Sequence, residues 1–406
     1  MEDATFLSKP RHLTTKKIRI LIISEPATNI SGGYYIELSR GEKPSYVPLW
    51  QNLSNFFYIE HLQWKKRTYY GFSIFKIYLV DFVEILFNTL KVLCKILKGY
   101  YDVIILETPL ALESILSMLV LKVKNVPFIT MDSRWYNPRS FISLLTWPLH
   151  RLIVVNSNII IVPGTRAYKY WTMVSSIPRQ KLKIIRFYYS HLSINSYVCN
   201  VAESLRTKFG DKVVILYVGR LIKQKGVRFL IHAFAKLRKE YNNVILIIVG
   251  EGEERRFLEE LCKKYNMRDS VIFTGAVDRD IKTAYYMISD IVVRPSITSR
   301  VPEEWGLVIN EAISLGKPVI VSNATGVAYD IVKDGINGYV VPEKSSLALY
   351  RALITLVTNK ELRIKMGLAS KRIFEENFNL NTITQQLEIL LCNLALKDVQ
   401  SLNIDW

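Results

Sequence analysis

Short runs of β-branched and apolar residues recur along this chain, and segments long enough for one helix separate them. The first half contains five such runs, IRILIIS, DVIILE, VPFIT, NIIIVP and KLKIIRF. The second half contains six, which begin near Lys212, Asn243, Ser270, Asp290, Pro318 and Tyr339. Strands that alternate with helices form a parallel sheet with helices on both faces. The pattern therefore predicts an α/β chain of two doubly wound, Rossmann-like domains that face each other across a cleft.

The length of the chain agrees with two domains. A chain of 406 residues is too long for one hydrophobic core of ordinary size. The weakly periodic stretch SHLSINSYVCNVAES separates the two series of strands, so we expect a first domain at 1–200 and a second at 201–379. Residues 380–406 are expected to supply a last helix that packs back on the first domain. Residues 34–70 give no clear assignment.

Cysteine usage and hydropathy indicate a cytoplasmic protein. The four cysteines lie far apart, with no CxxC pair and no neighbouring histidines, so neither a zinc site nor a disulfide framework is expected. The N-terminal segment has no apolar core typical of a secretory signal. No run of 18 uncharged apolar residues occurs, so no membrane-spanning helix is expected.

The positive charge is concentrated in the first half. The net charge is +18, with an excess of 13 basic residues in 1–200 and of 5 in 201–406. A basic domain can attract an anionic membrane or nucleic acid, or it can simply carry solvated lysines. We expect a membrane surface as a partner and no nucleic acid.

The segment GFSIFKIYLVDFVEILFNTLKVLCKILKG (71–99) reads as one amphipathic helix. Its polar residues fall within an arc of about 140° on a helical projection. Such a helix either buries its wide apolar face within the first domain or lies partly in the bilayer interface. The polar residues are Lys76, Asp81, Glu84, Asn88, Lys91, Lys95 and Lys98.

The first candidate site lies in LYVGRLIKQKGVRF, where a predicted strand ends at Gly219. A glycine at the end of a strand lets a ligand approach the backbone, and Arg220 and Lys225 could converge on a diphosphate. The Walker pattern GxxxxGK[ST] is absent, so this is not a P-loop. The alternative is an ordinary solvated basic loop.

The second candidate site lies in PEEWGLVINEAISLGKP, with Glu303 in a loop and Glu311 in the second turn of the helix that follows. The free N–H groups at the helix start, over Gly306, Leu307 and Val308, could face phosphates. One carboxylate could then meet a ribose and the other the hydroxyls of a sugar. The alternative is a pair of surface charges, which their apolar neighbours disfavour.

Three further landmarks lie between these motifs in a fixed order. They are the turn VGEGEE with Gly250, the strand end Phe273-x-Gly275-x-Val277, and Asp290-x4-Pro295-Ser296. Together with Arg220 and Lys225, and with the Glu-x7-Glu pair, this order resembles the retaining glycosyltransferases of family 4, whose fold is called GT-B. The resemblance is close over about residues 205–380 and covers the first half only in outline.

The resemblance implies an enzyme that transfers a hexosyl group from a nucleotide-diphosphate sugar to a hydroxyl acceptor, with retention of configuration and without a metal or other cofactor. It implies that Arg220 and Lys225 neutralise the donor diphosphate. Glu303 would bind sugar hydroxyls or act as a nucleophile. The acceptor is expected to be a lipid-linked or cell-surface glycan, handled at the inner face of the membrane. The remaining donor-binding residues would be Gly219, Gly250, Gly275, Val277, Gly306, Leu307, Val308 and Glu311.

The sequence departs from the family pattern at three places. Six residues, ITSRVP, separate Ser296 from Glu303 where the family usually has two, and Glu304 stands where Gly or Pro is usual. None of the five histidines follows a matching strand of the first domain, so Asp132, in MDSRWYNPR, is the candidate catalytic group there. The alternative is that Asp132 caps a helix or pairs with Arg134 or Arg139. The loop after the first strand contributes Gly32 and Gly33 as candidates.

Two further interpretations remain open. Asp278-Arg279-Asp280 looks like a metal-binding DxD motif, but its place before a helix favours an N-terminal cap. A nucleotide-sugar epimerase of the same fold is the nearest alternative enzyme, and a non-catalytic basic protein that binds membranes or nucleic acid is the alternative from another class.

Overall fold

The computed structural model describes residues 18–24, 53, 58–63, 89–107, 112–134, 141–174, 177–186, 192, 194–298, 303 and 305–395. They form two parallel sheets of six strands each, with helices on both faces, so the predicted α/β fold with two Rossmann-like domains is confirmed.

The first sheet has the strand order β2-β1-β3-β4-β5-β6, and all of its described pairings are parallel. The five runs predicted in the first half are all strands, and β2 lies in the stretch that the sequence left unassigned. The strands are β1 (Arg19–Ser24), β2 (Tyr58–Gln63), β3 (Val103–Glu107), β4 (Phe128–Met131), β5 (Ile159–Val162) and β6 (Leu182–Ile184).

Helices cover both faces of the first sheet. On one face, Val92 and Ile96 of α1 (residues 89–98) and Leu121 of α2 (Leu112–Val123) pack against the strands. On the other face, Ile383 and Leu387 of the last helix, α12 (Leu380–Ala395), pack against Ile20 and its neighbours. The helices of this domain are α1 (residues 89–98), α2 (Leu112–Val123), α3 (Phe141–Asn156) and α4 (Thr165–Lys169), with a π-helical turn (Tyr170–Val174) and a 3-10 turn (Arg179–Lys181) after α4.

The second sheet has the order β12-β11-β10-β7-β8-β9, again parallel throughout its described pairings. Its six strands begin within one residue of the positions expected from the sequence. They are β7 (Val213–Val218), β8 (Val244–Val249), β9 (Val271–Gly275), β10 (Ile291–Arg294), β11 (Val319–Ser322) and β12 (Gly338–Val341).

The helices of the second domain are α5 (Ser196–Phe209), α6 (Val227–Glu240), α7 (Arg255–Lys264), α8 (Arg279–Ile288), α9 (Leu307–Ser314), α10 (Ser346–Thr358) and α11 (Lys360–Asn377), and α12 (Leu380–Ala395) follows them. Two 3-10 turns, Lys223–Lys225 and Gly326–Tyr329, join strands to the elements that follow. The boundary expected at residue 200 falls inside α5. Because Val198 and Ala202 pack in the core of the second sheet, this helix belongs with the second domain.

Parallel strands with helical connections bring all their carboxyl ends to one edge of the sheet, where ligands of open α/β folds bind. The candidate residues of the second domain follow β7, β8, β9 and β10, so they meet at one such edge. Within the described part of the chain, no helix is both long and apolar enough to cross a membrane.

Candidate functional site

Three of the predicted glycines stand side by side at the carboxyl edge of the second sheet. Gly219 directly follows β7, Gly250 follows β8, and Gly275 ends β9. The N–H of Gly219 donates to the carbonyl of Val249 at 2.9 Å, and the N–H of Gly250 donates to that of Gly275 at 2.9 Å. Val277 follows two residues later and is half-buried against the sheet core. Close packing at this edge requires glycine, because a Cβ on Gly250 would lie 2.0 Å from the carbonyl oxygen of Gly219 and one on Gly275 would lie 2.9 Å from Glu251 Oε1.

Lys225 and Glu303 meet at this edge, although 78 positions separate them in sequence. Lys225 Nζ donates to Glu303 Oε1 at 2.8 Å, and both side chains are about nine-tenths buried. Arg294, the last residue of β10, donates from Nε to both carboxylate oxygens at 3.1 Å and also donates from Nη2. The hydroxyl of Ser296 donates to Oε2 of the same carboxylate. Glu303 is thus fixed by two cations and a hydroxyl.

Gly219 is the residue that makes room for Arg294. Its φ of +149° is one that residues with side chains rarely adopt, and a Cβ at this position would lie 2.4 Å from Arg294 Nη1. That same Nη1 donates to the carbonyl of Val218 at 2.8 Å. A glycine is required here because the guanidinium of Arg294 passes directly over the end of β7.

The charges in this cluster shift the pKa values of its members. Burial alone would raise the pKa of Glu303, but Arg294 and Lys225 hold it well below its ordinary value. Burial, followed by repulsion from Arg294, lowers the pKa of Lys225 to about 8 even though Glu303 opposes the shift. Burial acts to lower the pKa of Arg294, but Glu303 raises it above its ordinary value. At neutral pH Glu303 and Arg294 are ionised, and Lys225 is mostly protonated because its pKa lies above 7.

Arg220 lies beside this cluster without pairing to it. Its side chain is half-buried and makes no ion pair or hydrogen bond with the described residues, and its charge contributes to the lowered pKa of Lys225. Its backbone carbonyl accepts a hydrogen bond from the Tyr217 hydroxyl at 2.9 Å, which holds the turn after β7. The guanidinium is therefore available to an anionic ligand.

The start of α9 supplies the second predicted carboxylate. Gly306, with φ of +112°, precedes the helix, and the half-buried Leu307 and Val308 are its first two residues. Glu311 is the fifth residue of the helix and is buried. As expected from the sequence, it lies in the second turn and faces inward.

Two residues of α8 hold Glu311 in place. Lys282 Nζ donates to Oε1 at 2.8 Å, and the buried Tyr286 hydroxyl donates to Oε2 at 2.7 Å. Lys282 and Tyr286 are four residues apart and therefore lie on one face of α8. Burial, together with the carboxylate of Glu311, raises the pKa of Tyr286 well above its ordinary value. The Tyr286 hydroxyl therefore stays protonated and remains a hydrogen-bond donor.

The DxD-like residues, Asp278 and Asp280, lie at the start of α8. Asp278 Oδ1 accepts a hydrogen bond from the N–H of Ile281 at 2.8 Å, so Asp278 is the N-cap that the sequence predicted. Asp280 lies in the first turn of the same helix. Within the described part of the chain, no cluster of three His, Cys, Asp or Glu side chains could hold a metal ion.

In the first domain, Asp132 follows β4 and is buried. Its Oδ2 lies 2.7 Å from Nε2 of the buried His150 on α3, and its Oδ1 accepts from the N–H of Arg134 at 2.8 Å. The His150 ring packs against Trp147 and Trp171, with ring centroids 5.4 and 5.6 Å away, and the two indole rings lie 5.5 Å from each other. Burial alone would raise the pKa of Asp132, but His150 and Arg134 lower it. The carboxylate is ionised, and both of its oxygens have partners.

The sequence did not identify three partners that shape the site. Arg294 had a detectable signal, because it is a charged residue that ends an apolar strand, IVVR. Lys282 had no signal in the sequence apart from its position four residues before Tyr286. His150 pairs with Asp132 across 18 residues of chain, so only the packing of α3 against β4 brings them together. Gly32, Gly33, Arg139 and Glu304 lie outside the described residues, and their roles stay predictions.

Comparisons with known proteins agree with this fold. Residues 204–372 match the family model of glycosyl transferases group 1. HepE of Anabaena, solved in complex with UDP, superposes with a TM-score of 0.70 over 93% of this chain and 100% of that chain, at 18% sequence identity. This chain has the GT-B fold. The two parallel sheets described above are the two domains of that fold.

Two relatives from Methanocaldococcus jannaschii extend the comparison. The uncharacterized glycosyltransferase MJ1607 is 34% identical over 179 residues, which cover 42% of this chain and 44% of that protein. The uncharacterized glycosyltransferase MJ1069 is 27% identical over 345 residues, which cover 80% of this chain and 83% of that protein. The match to MJ1607 thus spans less than half of that protein, whereas the match to MJ1069 extends over both domains.

Proposed function

We propose that this GT-B protein transfers a glycosyl group from a nucleotide-diphosphate sugar to a hydroxyl acceptor. The observation that carries the proposal is the cluster at the edge of the second sheet, where the buried Lys225 and Arg294 pair with one carboxylate, Glu303. The half-buried Arg220 lies beside them. Three cations and one anion leave about two positive charges, which a diphosphate bridge would neutralise. The cluster lies in the part of the chain that matches glycosyl transferases group 1.

The donor would lie along the edge formed by the three glycines and the start of α9. Its diphosphate would sit between the N–H groups of Gly306, Leu307 and Val308 and the free cation of Arg220. Glu311, oriented by Lys282 and Tyr286, would accept hydrogen bonds from the ribose. HepE, which has the same fold, was solved with UDP, and this supports a nucleoside diphosphate as the leaving group.

We assign the reaction to the retaining, family 4 type. A nucleophile at Glu303 is disfavoured, because a carboxylate with a strongly lowered pKa that two cations hold is a weak nucleophile. In the mechanism we favour, the acceptor oxygen bonds to the anomeric carbon as the bond from that carbon to the phosphate oxygen breaks. The acceptor proton passes to the leaving phosphate on the same face. The protein supplies orientation and charge stabilisation, without a metal.

Asp132 has a supporting role in this proposal. Both of its oxygens already accept from Arg134 or contact His150, so it is poorly placed to remove a proton from an acceptor. We propose that it orients the loop after β4 at the acceptor side of the cleft.

For the acceptor we propose a lipid-linked or cell-surface glycan, and we propose that the protein works at the cytoplasmic face of a membrane. The support is the outer surface of α1, α2 and α3, where large apolar side chains are exposed among lysines. Leu97, Leu119 and Val123 are 57%, 51% and 88% exposed. Residues 89–100, 112–126 and 147–158 contain six Lys or Arg and one Glu. A surface of this kind suits the headgroup region of an anionic membrane.

A thermal-shift screen with nucleoside diphosphates and nucleotide sugars tests the proposal most directly. A true donor at about 100 times its Kd should stabilise the protein by about 2.7 kcal/mol. The matched variants are Lys225→Ala, which should lose the response, and Lys223→Ala, an exposed lysine of the same 3-10 turn, which should keep it. Incubation with the donor alone, followed by analysis of the sugar, separates a transferase from an epimerase, since an epimerase alters the sugar without an acceptor. A wild-type protein that responds to no nucleotide would contradict the assignment.

A further inference from the structure

The start of α4, in the first domain, makes a direct bridge to the second domain. The N–H of Thr165 donates to both oxygens of Asp330 at 3.0 Å, and the Thr165 hydroxyl donates to Oδ1 at 2.7 Å. The next residue, Arg166, donates from Nη2 to the carbonyl of Asn323 at 2.6 Å, and its guanidinium lies 3.9 Å from the centre of the Tyr329 ring. Two consecutive residues of one domain thus bind three residues of the other.

Gly164 allows this close approach. A Cβ at this position would lie 2.5 Å from Asp330 Oδ2 and 2.7 Å from the Trp305 ring, so any side chain would force the two domains apart. Its backbone is extended, with φ of −173°, and imposes no strain of its own. The requirement for glycine at 164 therefore comes from contact across the cleft.

The residues that the bridge reaches are bonded directly to the segment that carries Glu303. The N–H of Gly326 donates to the carbonyl of Glu303 at 3.2 Å, and the N–H of Val327 donates to that of Trp305 at 3.1 Å. Glu303 also forms a parallel bridge with Thr325. The turn Gly326–Tyr329 is followed at once by Asp330, so the bridge ends one short turn from the Glu303 backbone.

A second path leads from Arg166 to the turn that carries Lys225. The side chain of Asn323 accepts from the N–H of Glu343 at 2.9 Å, and the carboxylate of Glu343 accepts from the Thr298 hydroxyl at 2.7 Å. The N–H of Ile297, beside Thr298, donates to the carbonyl of Gln224 at 2.8 Å. Gln224 immediately precedes Lys225.

We propose that Gly164, Thr165 and Arg166 form an interdomain clamp that sets the positions of Glu303 and Lys225 when the two domains meet. This inference rests on the proposed function, in which the second domain holds the donor and the first domain presents the acceptor. A correct donor position would then depend on contact with the acceptor domain. In this proposal the clamp residues are positioning residues, because they act through Asp330, Asn323 and Glu343.

The main test compares Arg166→Ala with Lys169→Ala, a change at an exposed lysine of the same short helix. We expect Arg166→Ala to lower kcat for transfer by about 10- to 100-fold, the scale on which small misplacements of reacting groups act. Nucleoside-diphosphate affinity should stay within about twofold of wild type, because that site lies wholly in the second domain. Hydrolysis of the donor should rise relative to transfer. Lys169→Ala should resemble wild type in all three measurements.

A second variant, Gly164→Ala, tests the clamp without removing any polar group. The added methyl group should push the domains apart, so kcat should fall as in Arg166→Ala, and small-angle X-ray scattering should show a larger radius of gyration. Thr165→Val, which removes the hydroxyl but keeps the N–H donor, should have a smaller effect than either. Thermal unfolding of each variant verifies that it is folded.

The outcomes separate the clamp from the proposed function. If kcat in Arg166→Ala and Gly164→Ala equals that of Lys169→Ala, the clamp is wrong. If Arg166→Ala instead loses nucleoside-diphosphate affinity, Arg166 acts on donor binding itself, and the positioning role is equally wrong. If wild type binds no nucleotide, the proposed function fails, and the scattering comparison of Gly164→Ala with wild type still shows whether residue 164 holds the domains together.

Discussion

At the scale of single residues, Arg294 lowers the pKa of both Glu303 and Lys225 in the candidate site. It is buried at the end of a strand, and its only described acidic partner is Glu303. Removing one member of a buried ion pair leaves the other charge uncompensated, which costs several kcal/mol. Arg294 therefore keeps Glu303 ionised in a buried place and leaves Lys225 and Arg220 with positive charge for a ligand.

The first prediction concerns the two cations that were identified from the sequence. Arg220→Ala and Lys225→Ala should each lower turnover by roughly 100-fold or more, because the charge that develops on the leaving diphosphate is then under-neutralised in a dry cleft. Steady-state kinetics with the identified donor measures this effect, with Lys223→Ala as the control. Near wild-type rates in both variants would remove the diphosphate assignment.

The second prediction concerns pH. Since burial lowers the pKa of Lys225 to about 8, the free protein loses this cation as the pH rises through that value. A diphosphate binds better to the charged form, so its affinity should fall by about fivefold between pH 8 and pH 9. Calorimetric titration measures the affinity. Lys225→Arg stays charged throughout this range, and its affinity should change little. An equal pH dependence in both proteins would assign the titration to another group.

The third prediction separates the two carboxylates. Glu311→Gln should mainly weaken binding of the free nucleoside diphosphate, because this side chain is held where a ribose would lie. Glu303→Gln should mainly lower the rate of transfer, and it should also destabilise the fold because Arg294 and Lys225 lose their partner. Binding and single-turnover kinetics distinguish the two effects. Unchanged affinity in Glu311→Gln would refute its role at the ribose.

At the scale of secondary-structure elements, the sequence predicted best where the signal was local. The strands of the second domain were located from apolar runs of four to six residues, and the start of α9 was located from Gly306. The segment YIEHLQ of β2 has no such run, so the sequence alone does not predict this strand. The pairing of Asp132 with His150, and the bridge from Thr165 to Asp330, depend on contacts between distant segments. No local pattern carries that information.

The fourth prediction concerns α8 and the question of a metal. Because Asp278 caps this helix, Asp278→Ala should destabilise the protein by about 0.5–2 kcal/mol and leave most of the activity intact. Activity should also survive an excess of EDTA, since Arg220 and Lys225 neutralise the diphosphate. Chemical denaturation and transfer assays measure the two effects. Activity that EDTA abolishes and Mg²⁺ or Mn²⁺ restores would make Asp278 and Asp280 metal ligands instead.

At the scale of the whole molecule, the two domains differ in the surfaces they present to the rest of the cell. The excess of positive charge lies in the first half of the chain, as does the layer formed by α1, α2 and α3. Residues 71–88 of the predicted amphipathic helix lie outside the described residues, but 89–98 are helical. In that part Val92 and Ile96 are buried in the core, whereas Leu90 and Leu97 are exposed. The apolar face therefore serves the core and also reaches the surface.

Lysines join the three helices of this layer. Lys124 Nζ donates to the carbonyls of Ile96 and Leu97 at the end of α1, at 2.8 and 2.9 Å. Lys122 of α2 donates to the side chain of Asn156 at the end of α3. The exposed apolar residues of the layer thus form one mixed apolar and basic surface, and they are Leu90, Leu97, Tyr100, Leu119, Val123, Leu149, Leu152 and Val155.

The last prediction is that this surface binds anionic membranes reversibly. Each Lys or Arg near such a surface contributes about 1 kcal/mol, and the exposed apolar side chains add to the attachment. In vesicle co-sedimentation we expect binding to anionic but not to neutral vesicles. High salt should weaken it, because exposed charges are screened over a Debye length of about 8 Å at physiological ionic strength. Lys91→Glu with Lys98→Glu should reduce binding, whereas Lys360→Glu with Lys365→Glu, exposed on α11 of the second domain, should not. Absence of binding to anionic vesicles at low salt would refute membrane attachment and leave the glycosyltransferase proposal intact.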